Sequence, residues 1–195
     1  QIGIVILGST INLSFILDIN PIYIVLISLF VFFSFIGGLI IGRVLKLNSN
    51  MTILLSSGAA ICGGTAMVAV APIIKAKPSE LIVSLTIVFM LNAIAIVFFP
   101  MIATYLQMSN EEFGAFAALA IHDTSSVVGA AIQYSPESVE MASVLKLGRT
   151  LWLIPLLFVL NYKFNKDIGS SSYPKFIIFF VMAIILNTIF NFSYE

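Results

Sequence analysis

The sequence predicts an all-α polytopic membrane protein, a helical bundle with interrupted or re-entrant helices. Three observations carry that expectation. The chain is 60% hydrophobic and only 9% charged, whereas an ordinary soluble domain is roughly a quarter charged. So few charges cannot dress the surface of a soluble domain of this length. Residues 22 to 42, 51 to 74, 81 to 110 and 176 to 194 contain no Asp, Glu, Lys, Arg or His, and about 20 such residues suffice for a helix to cross hydrocarbon. Finally, glycine pairs and ionisable groups stand inside two apolar runs, "AAICGGTAM" and "ALAIHDTSSVV". A barrel would show short alternating segments instead.

Seven hydrophobic segments follow in order. The first, near residues 2 to 17, is short and carries Asn12 and Ser14. Pro21 suits the first turn of the second, which runs to about Val44 before the turn "LKLNSN". The third, "MTILLSSGAAICGGTAMVAVAPII", is long enough to span but holds Gly58, Gly63, Gly64 and Pro72. After the polar loop "KAKPSE", Pro78 and Glu80 open the fourth, which reaches about Tyr105, with Pro100 expected to bend it or end its regular part. Ser109 or Asn110 caps the fifth, and Glu111 and Glu112 favour its first turn. The sixth covers about 138 to 160, the seventh 174 to 191.

The basic loops constrain how these segments are threaded. Arg43 and Lys46, then Lys75 and Lys77, flank the third segment on both sides, and Lys163, Lys166 and Lys175 form a third group. Cytoplasmic loops gather Lys and Arg, yet if every segment crosses once, no orientation places all three groups inside. Making the third and fifth segments re-entrant or broken does so. These are the same two segments that carry the glycines and the buried charge.

Net charge is zero, with nine basic and nine acidic residues, so no basic patch points to nucleic acid. The single Cys62 permits no internal disulfide and reads as a small packing residue. The chain opens without Met or a basic n-region, so a missing N-terminus is expected.

Three clusters could carry chemistry. In the third segment, Gly63, Gly64 and Thr65 either allow close packing or break the helix so that freed N–H groups face a ligand. Ser56 and Ser57 either add hydroxyls there or bond back to their own helix. In the fifth segment, unwinding at "HDTSS" lets His122 and Asp123 share one site. Intramembrane ionisable residues mark proton or ion routes, while Asp123, Thr124 and Ser125 also read as a helix cap. Burial disfavours both charged forms and mutual attraction favours them, so the pair titrates as a unit. In the sixth, Lys146 and Arg149 share a helix face and either snorkel to an interface or attract an anion from within the bundle. On the latter reading Arg149→Gln weakens anion binding more than folding. Asn92, in "FMLNAIAIVFF", and Asn187, in "AIILNTIFNF", give a faint internal echo that is close to chance.

Taken together, "GAAICGGTAMVAVAPIIKAK", "FGAFAALAIHDTSSVVGAA" and "VLKLGRTLWLIPL" resemble the UPF0324 family of bacterial inner-membrane proteins, often described as sulfate exporters. The resemblance covers nearly the whole chain. It implies an inverted-repeat architecture like those of cation–proton antiporters and anion transporters. It also implies that this single transmembrane domain is a fragment, or the ordered core, of a longer chain with about ten spans. It transfers no established site residues. The expected function is therefore secondary transport: export or exchange of a small anion, sulfate being one candidate, coupled to a proton or cation gradient. Expected partners are the lipid bilayer, a small inorganic or organic anion, a proton or sodium ion, and a second copy in a homodimer. No cofactor or metal is expected, since one histidine makes a zinc site improbable. The lack of a Walker motif gives the chain no ATP coupling of its own. An ion channel or a non-transporting membrane scaffold is the alternative, and an enzyme is not expected.

Overall fold

The computed structural model describes residues 21–164 and Met182; the first and seventh segments, with Lys166, Lys175 and Asn187, lie outside them. The helices are α1 (Pro21–Val44), α2 (Ser49–Ala60), α3 (Gly64–Val70), α4 (Pro78–Tyr105), α5 (Asn110–Ala120), α6 (Thr124–Tyr134), α7 (Ser138–Thr150) and α8 (Leu153–Phe164). No strand occurs among the described residues. Three stretches are long and apolar enough to cross a membrane: Ile22–Val44, Pro78–Tyr105 and Ser138–Phe164. Their outer faces stay apolar: Phe33 on α1 is 67% exposed and Met90 on α4 is 64% exposed, as lipid-facing side chains should be. The chain is an all-α membrane protein.

Local chemistry explains most helix starts. Pro78 begins α4, and the Glu80 carboxylate accepts from the Lys77 N–H at 2.8 Å. Ser109 and Glu112 make a reciprocal capping box at α5. Pro100 does not end α4, which continues to Tyr105. A mid-helix proline removes one backbone bond, and a lipid-embedded helix has no water to compete for the remaining ones.

The third segment enters the bundle and returns. Asn50, at the start of α2, donates from Nδ2 to Glu80 Oε2 at 3.1 Å, so α2 and α4 begin at the same end. A full crossing would separate those starts by about 30 Å, whereas α2 has 12 residues and runs about 18 Å. Gly58 meanwhile faces Met67, whose methyl would lie 2.2 Å from an added Cβ. Residues 49 to 70 are therefore a re-entrant hairpin. The fifth segment repeats the device from the other end. The Tyr134 hydroxyl, closing α6, donates to the Met108 carbonyl just before α5, and the Phe113 and Tyr134 rings sit 4.3 Å apart.

Five spatial strokes result. α1 runs toward the first end, hairpin α2–α3 dips in from it, and α4 runs to the second end. Hairpin α5–α6 dips in from there, and α7 with α8 runs back. Among the described residues, Arg43, Lys46, Lys75, Lys77 and Lys163 fall at the first end, and Glu111, Glu112 and Glu137 at the second. For the described residues the charge conflict in the sequence is thereby resolved.

Close packing fixes the first hairpin to α1. At Gly42 an added Cβ would lie 2.5 Å from Thr52 Cγ2, and at Gly38 2.7 Å from Ser56 Oγ. Small residues four apart let the two backbones approach, as is usual between helices in lipid.

Candidate functional site

Both expected interruptions are present. In the first hairpin α2 stops at Ala60, Ile61 leaves helical geometry (φ −120°, ψ −91°), and Gly63 takes φ 62°, ψ −119°. That positive φ is cheap only for glycine. The Gly63 N–H bonds back to the Gly58 carbonyl at 2.9 Å, and no side chain caps α3. Gly63 and Gly64 are buried and Thr65 is partly buried.

The second hairpin breaks by polar means. Ile121 and Asp123 are extended. Asp123 Oδ2 accepts from the Ser126 N–H at 3.1 Å and from the Ser126 and Ser125 hydroxyls, so it is the N-cap of α6. Thr124 and Ser125 form the first turn. The unwound His122 N–H donates to Asn92 Oδ1 at 3.1 Å. His122, Asp123 and Thr124 are partly buried, and no hydrogen bond joins His122 to Asp123.

The two breaks touch. A Cβ on Gly63 would lie 3.4 Å from the His122 carbonyl carbon and Cβ. Each break is led by the same dipeptide, Ala60-Ile61 and Ala120-Ile121.

Lys146 and Arg149 hold the breaks together. They are 0% and 1% exposed, so snorkelling to an interface is excluded. Lys146 Nζ donates to the Ile121 carbonyl at 2.8 Å and to the Ile61 carbonyl at 3.4 Å, bridging the matching residues of the two hairpins. Arg149 places four of its N–H donors on carbonyls: Ala59 and Ala60 of α2, and Ala118 and Leu119 of α5. These are the orphan acceptors that every helix C-terminus leaves, and the dipole there favours a cation. The Phe30 ring lies 4.8 Å from the guanidinium carbon. Among the described residues no carboxylate hydrogen-bonds either side chain, and most of their donors are engaged by backbone carbonyls.

Ser56 and Ser57 donate to the Thr52 and Ile53 carbonyls at 2.6 Å each, which is the back-bonding alternative. Cys62 is a buried free thiol, and no cluster of metal-ligating side chains occurs among the described residues. Sequence reasoning noted Asn92 only as half of a faint internal echo and not as a site residue. An amide within a long uncharged run, near the middle of a span, was the available signal.

The family model described as "Conserved hypothetical protein 698" matches residues 1–195. Among curated relatives, a "UPF0324 membrane protein" of Bacteroides thetaiotaomicron is 45% identical over 164 residues, 82% of this chain and 50% of the relative. One of Porphyromonas gingivalis is 47% identical over 161 residues, 81% and 48% of the two chains. One of Shewanella oneidensis is 42% identical over 178 residues, 91% and 56%. The chain thus spans about half the length of the curated relatives it matches. No solved structure matches. On the whole-length match and these identities, the chain belongs to the UPF0324 family of membrane proteins.

Proposed function

We propose that this protein is a multi-pass secondary transporter of the bacterial inner membrane. It exports or exchanges a small anion, sulfate being the first candidate, against a proton or sodium gradient. One observation carries the reading. Two re-entrant hairpins enter from opposite ends, and their non-helical tips meet beside a partly buried His122–Asp123 pair and two buried basic residues, Lys146 and Arg149. Non-helical backbone at membrane depth is tolerated where it is buried in protein or lines a cavity, and transporters place substrate and coupling ions at such breaks.

The opposed hairpins, each preceded by a spanning helix and each broken after Ala-Ile, support an inverted repeat: α1 with α2–α3, then α4 with α5–α6. With the basic end cytoplasmic, the first hairpin opens inward and the second outward, which gives each side of the membrane its own gate. Asp123 retains a free Oδ1 beside its cap bonds, and His122 keeps an unbonded imidazole, so either can exchange a proton or cation at the meeting point.

The test is flux. Full-length protein in proteoliposomes is loaded with sulfate, sulfite or a small dicarboxylate, and efflux is followed with and without an imposed pH or sodium gradient. Gradient-dependent movement of one of these anions is expected. Equal leak in protein-containing and empty vesicles under every gradient would overturn the reading.

A further inference from the structure

Asn92 stands midway along α4, 2% exposed, with one arm of its amide bonded and the other free. Oδ1 accepts from the His122 backbone N–H at 3.1 Å. Nδ2 is buried and has no hydrogen-bond partner. Buried polar atoms in native proteins almost always have partners, and an exception asks for a reason. The orientation of the amide is not arbitrary. The His122 N–H can only donate, so the atom facing it must be the oxygen. Turning the amide over would set donor against donor and leave the unwound His122 N–H without an acceptor. The free arm is therefore a donor.

Its surroundings say what that donor would meet. One face of α4 passes along both breaks. Leu85 and Phe89 approach Gly64 within 3.2 Å of an added Cβ, Val88 approaches Gly63 within 3.4 Å, and Asn92, one turn beyond Val88, reaches His122. The free donor thus lies where the hairpin tips meet. The ionisable groups at that junction are the buried Lys146 and Arg149, His122, and the single carboxylate of Asp123. An N–H donor cannot ligate a cation; it needs an acceptor, and the Arg149 guanidinium, which stays protonated in proteins, favours a negative one.

We infer that Asn92 is a substrate ligand: Nδ2 donates to an oxygen of a small oxyanion seated beside the meeting hairpin tips, and the His122 backbone N–H holds the amide in that orientation. This rests on the transporter reading and deepens it. The amide selects an acceptor-bearing anion and rejects a bare cation at this position. It also ties the substrate to the second hairpin, because movement of His122 away from α4 would release the arm that orients the donor.

Two variants of the full-length protein test this. Asn92→Asp keeps an oxygen for His122 and replaces the donor with an acceptor. Asn92→Ser is neutral and too short to reach, so it separates the lost donor from the added charge and serves alone if Asn92→Asp does not fold. Equilibrium binding of radiolabelled sulfate, sulfite and succinate to detergent-purified protein is the readout, alongside unfolding temperature. For whichever anion binds the wild type, affinity is expected to fall at least tenfold in both variants. Wild-type affinity in a folded Asn92→Ser protein would overturn the role of Asn92 and leave transport standing. If the wild type binds none of the three anions yet still carries protons or sodium in vesicles, the oxyanion assignment fails together with the anion part of the transport reading.

Discussion

The two hairpins have the same path and opposite chemistry. The first breaks at Ile61-Cys62-Gly63, where burial is complete and a glycine at φ 62° makes the turn. The second breaks at Ile121-His122-Asp123, where the backbone is ordinary extended chain and side chains satisfy it: Asp123 for α6, and Asn92 for the His122 N–H. One tip is closed by conformational permission, the other by polar groups that also face the junction. A break needing only shape can use glycine and remain apolar. A break carrying ionisable groups places them at a depth where they are expensive, and capping of α6 accounts for Asp123 but not for the His122 imidazole. On the transport reading proposed above, the first tip is a wall and the second bears the chemistry.

The largest expected effect comes from removing what joins the two. Arg149→Gln strips most of the donors from four carbonyls, two in each hairpin, of which those of Ala60 and Ala118 are in buried bonds and those of Ala59 and Leu119 in part-buried ones. Each unsatisfied buried group costs about 1–3 kcal/mol, so the loss should be several kcal/mol and the protein should lose monodispersity and unfold early in detergent. This differs from the sequence-based expectation that the same change would disturb folding far less than anion binding. A stable, monodisperse Arg149→Gln protein would show that the hairpins hold without the staple.

A smaller effect separates the walls themselves. Gly63→Ala places a Cβ on a residue whose φ is 62°, a strain of about 1–3 kcal/mol, and the unfolding temperature should drop. Asp123→Asn keeps a cap of nearly equal quality and should leave it unchanged. Equal destabilisation by both would erase the contrast between shape and chemistry.

The mildest perturbations test the path. In a Cys62→Ala background, Lys46→Cys and Lys75→Cys should both react with an impermeant thiol reagent from the cytoplasmic side, and Ser135→Cys from the outside, with stability near wild type. Labelling of positions 46 and 75 from opposite sides would mean that residues 49 to 70 cross the membrane and that the re-entrant hairpin is wrong.

Local signals made much of this legible. Pro21, Pro78, Ser109 and Asp123 each announce a helix start through backbone chemistry within a turn, and all four stand where the sequence places them. The breaks were readable because Gly63 and the His122–Asp123 pair are improbable inside intact spans. The re-entrant path rested on a vote of a few lysines and needed the Asn50–Glu80 bond to establish it. The partners of Lys146 and Arg149 were out of reach. Their carbonyls lie up to 90 residues away, and a carbonyl carries no residue identity for a sequence to display. Asn92 was visible as an amide in an uncharged run, but its partner was not, since that partner is a backbone N–H.

The central claim is that the second tip couples a gradient to substrate movement through Asp123, over and above its capping of α6. The most direct measurement compares wild-type and Asp123→Asn protein in proteoliposomes, after both are shown to be folded with matching unfolding temperatures. Substrate flux is then driven by an imposed pH or sodium gradient. The account predicts that the variant loses gradient-driven flux because asparagine caps the helix but cannot ionise. Gradient-driven transport at the wild-type rate would contradict it and leave Asp123 as a cap alone.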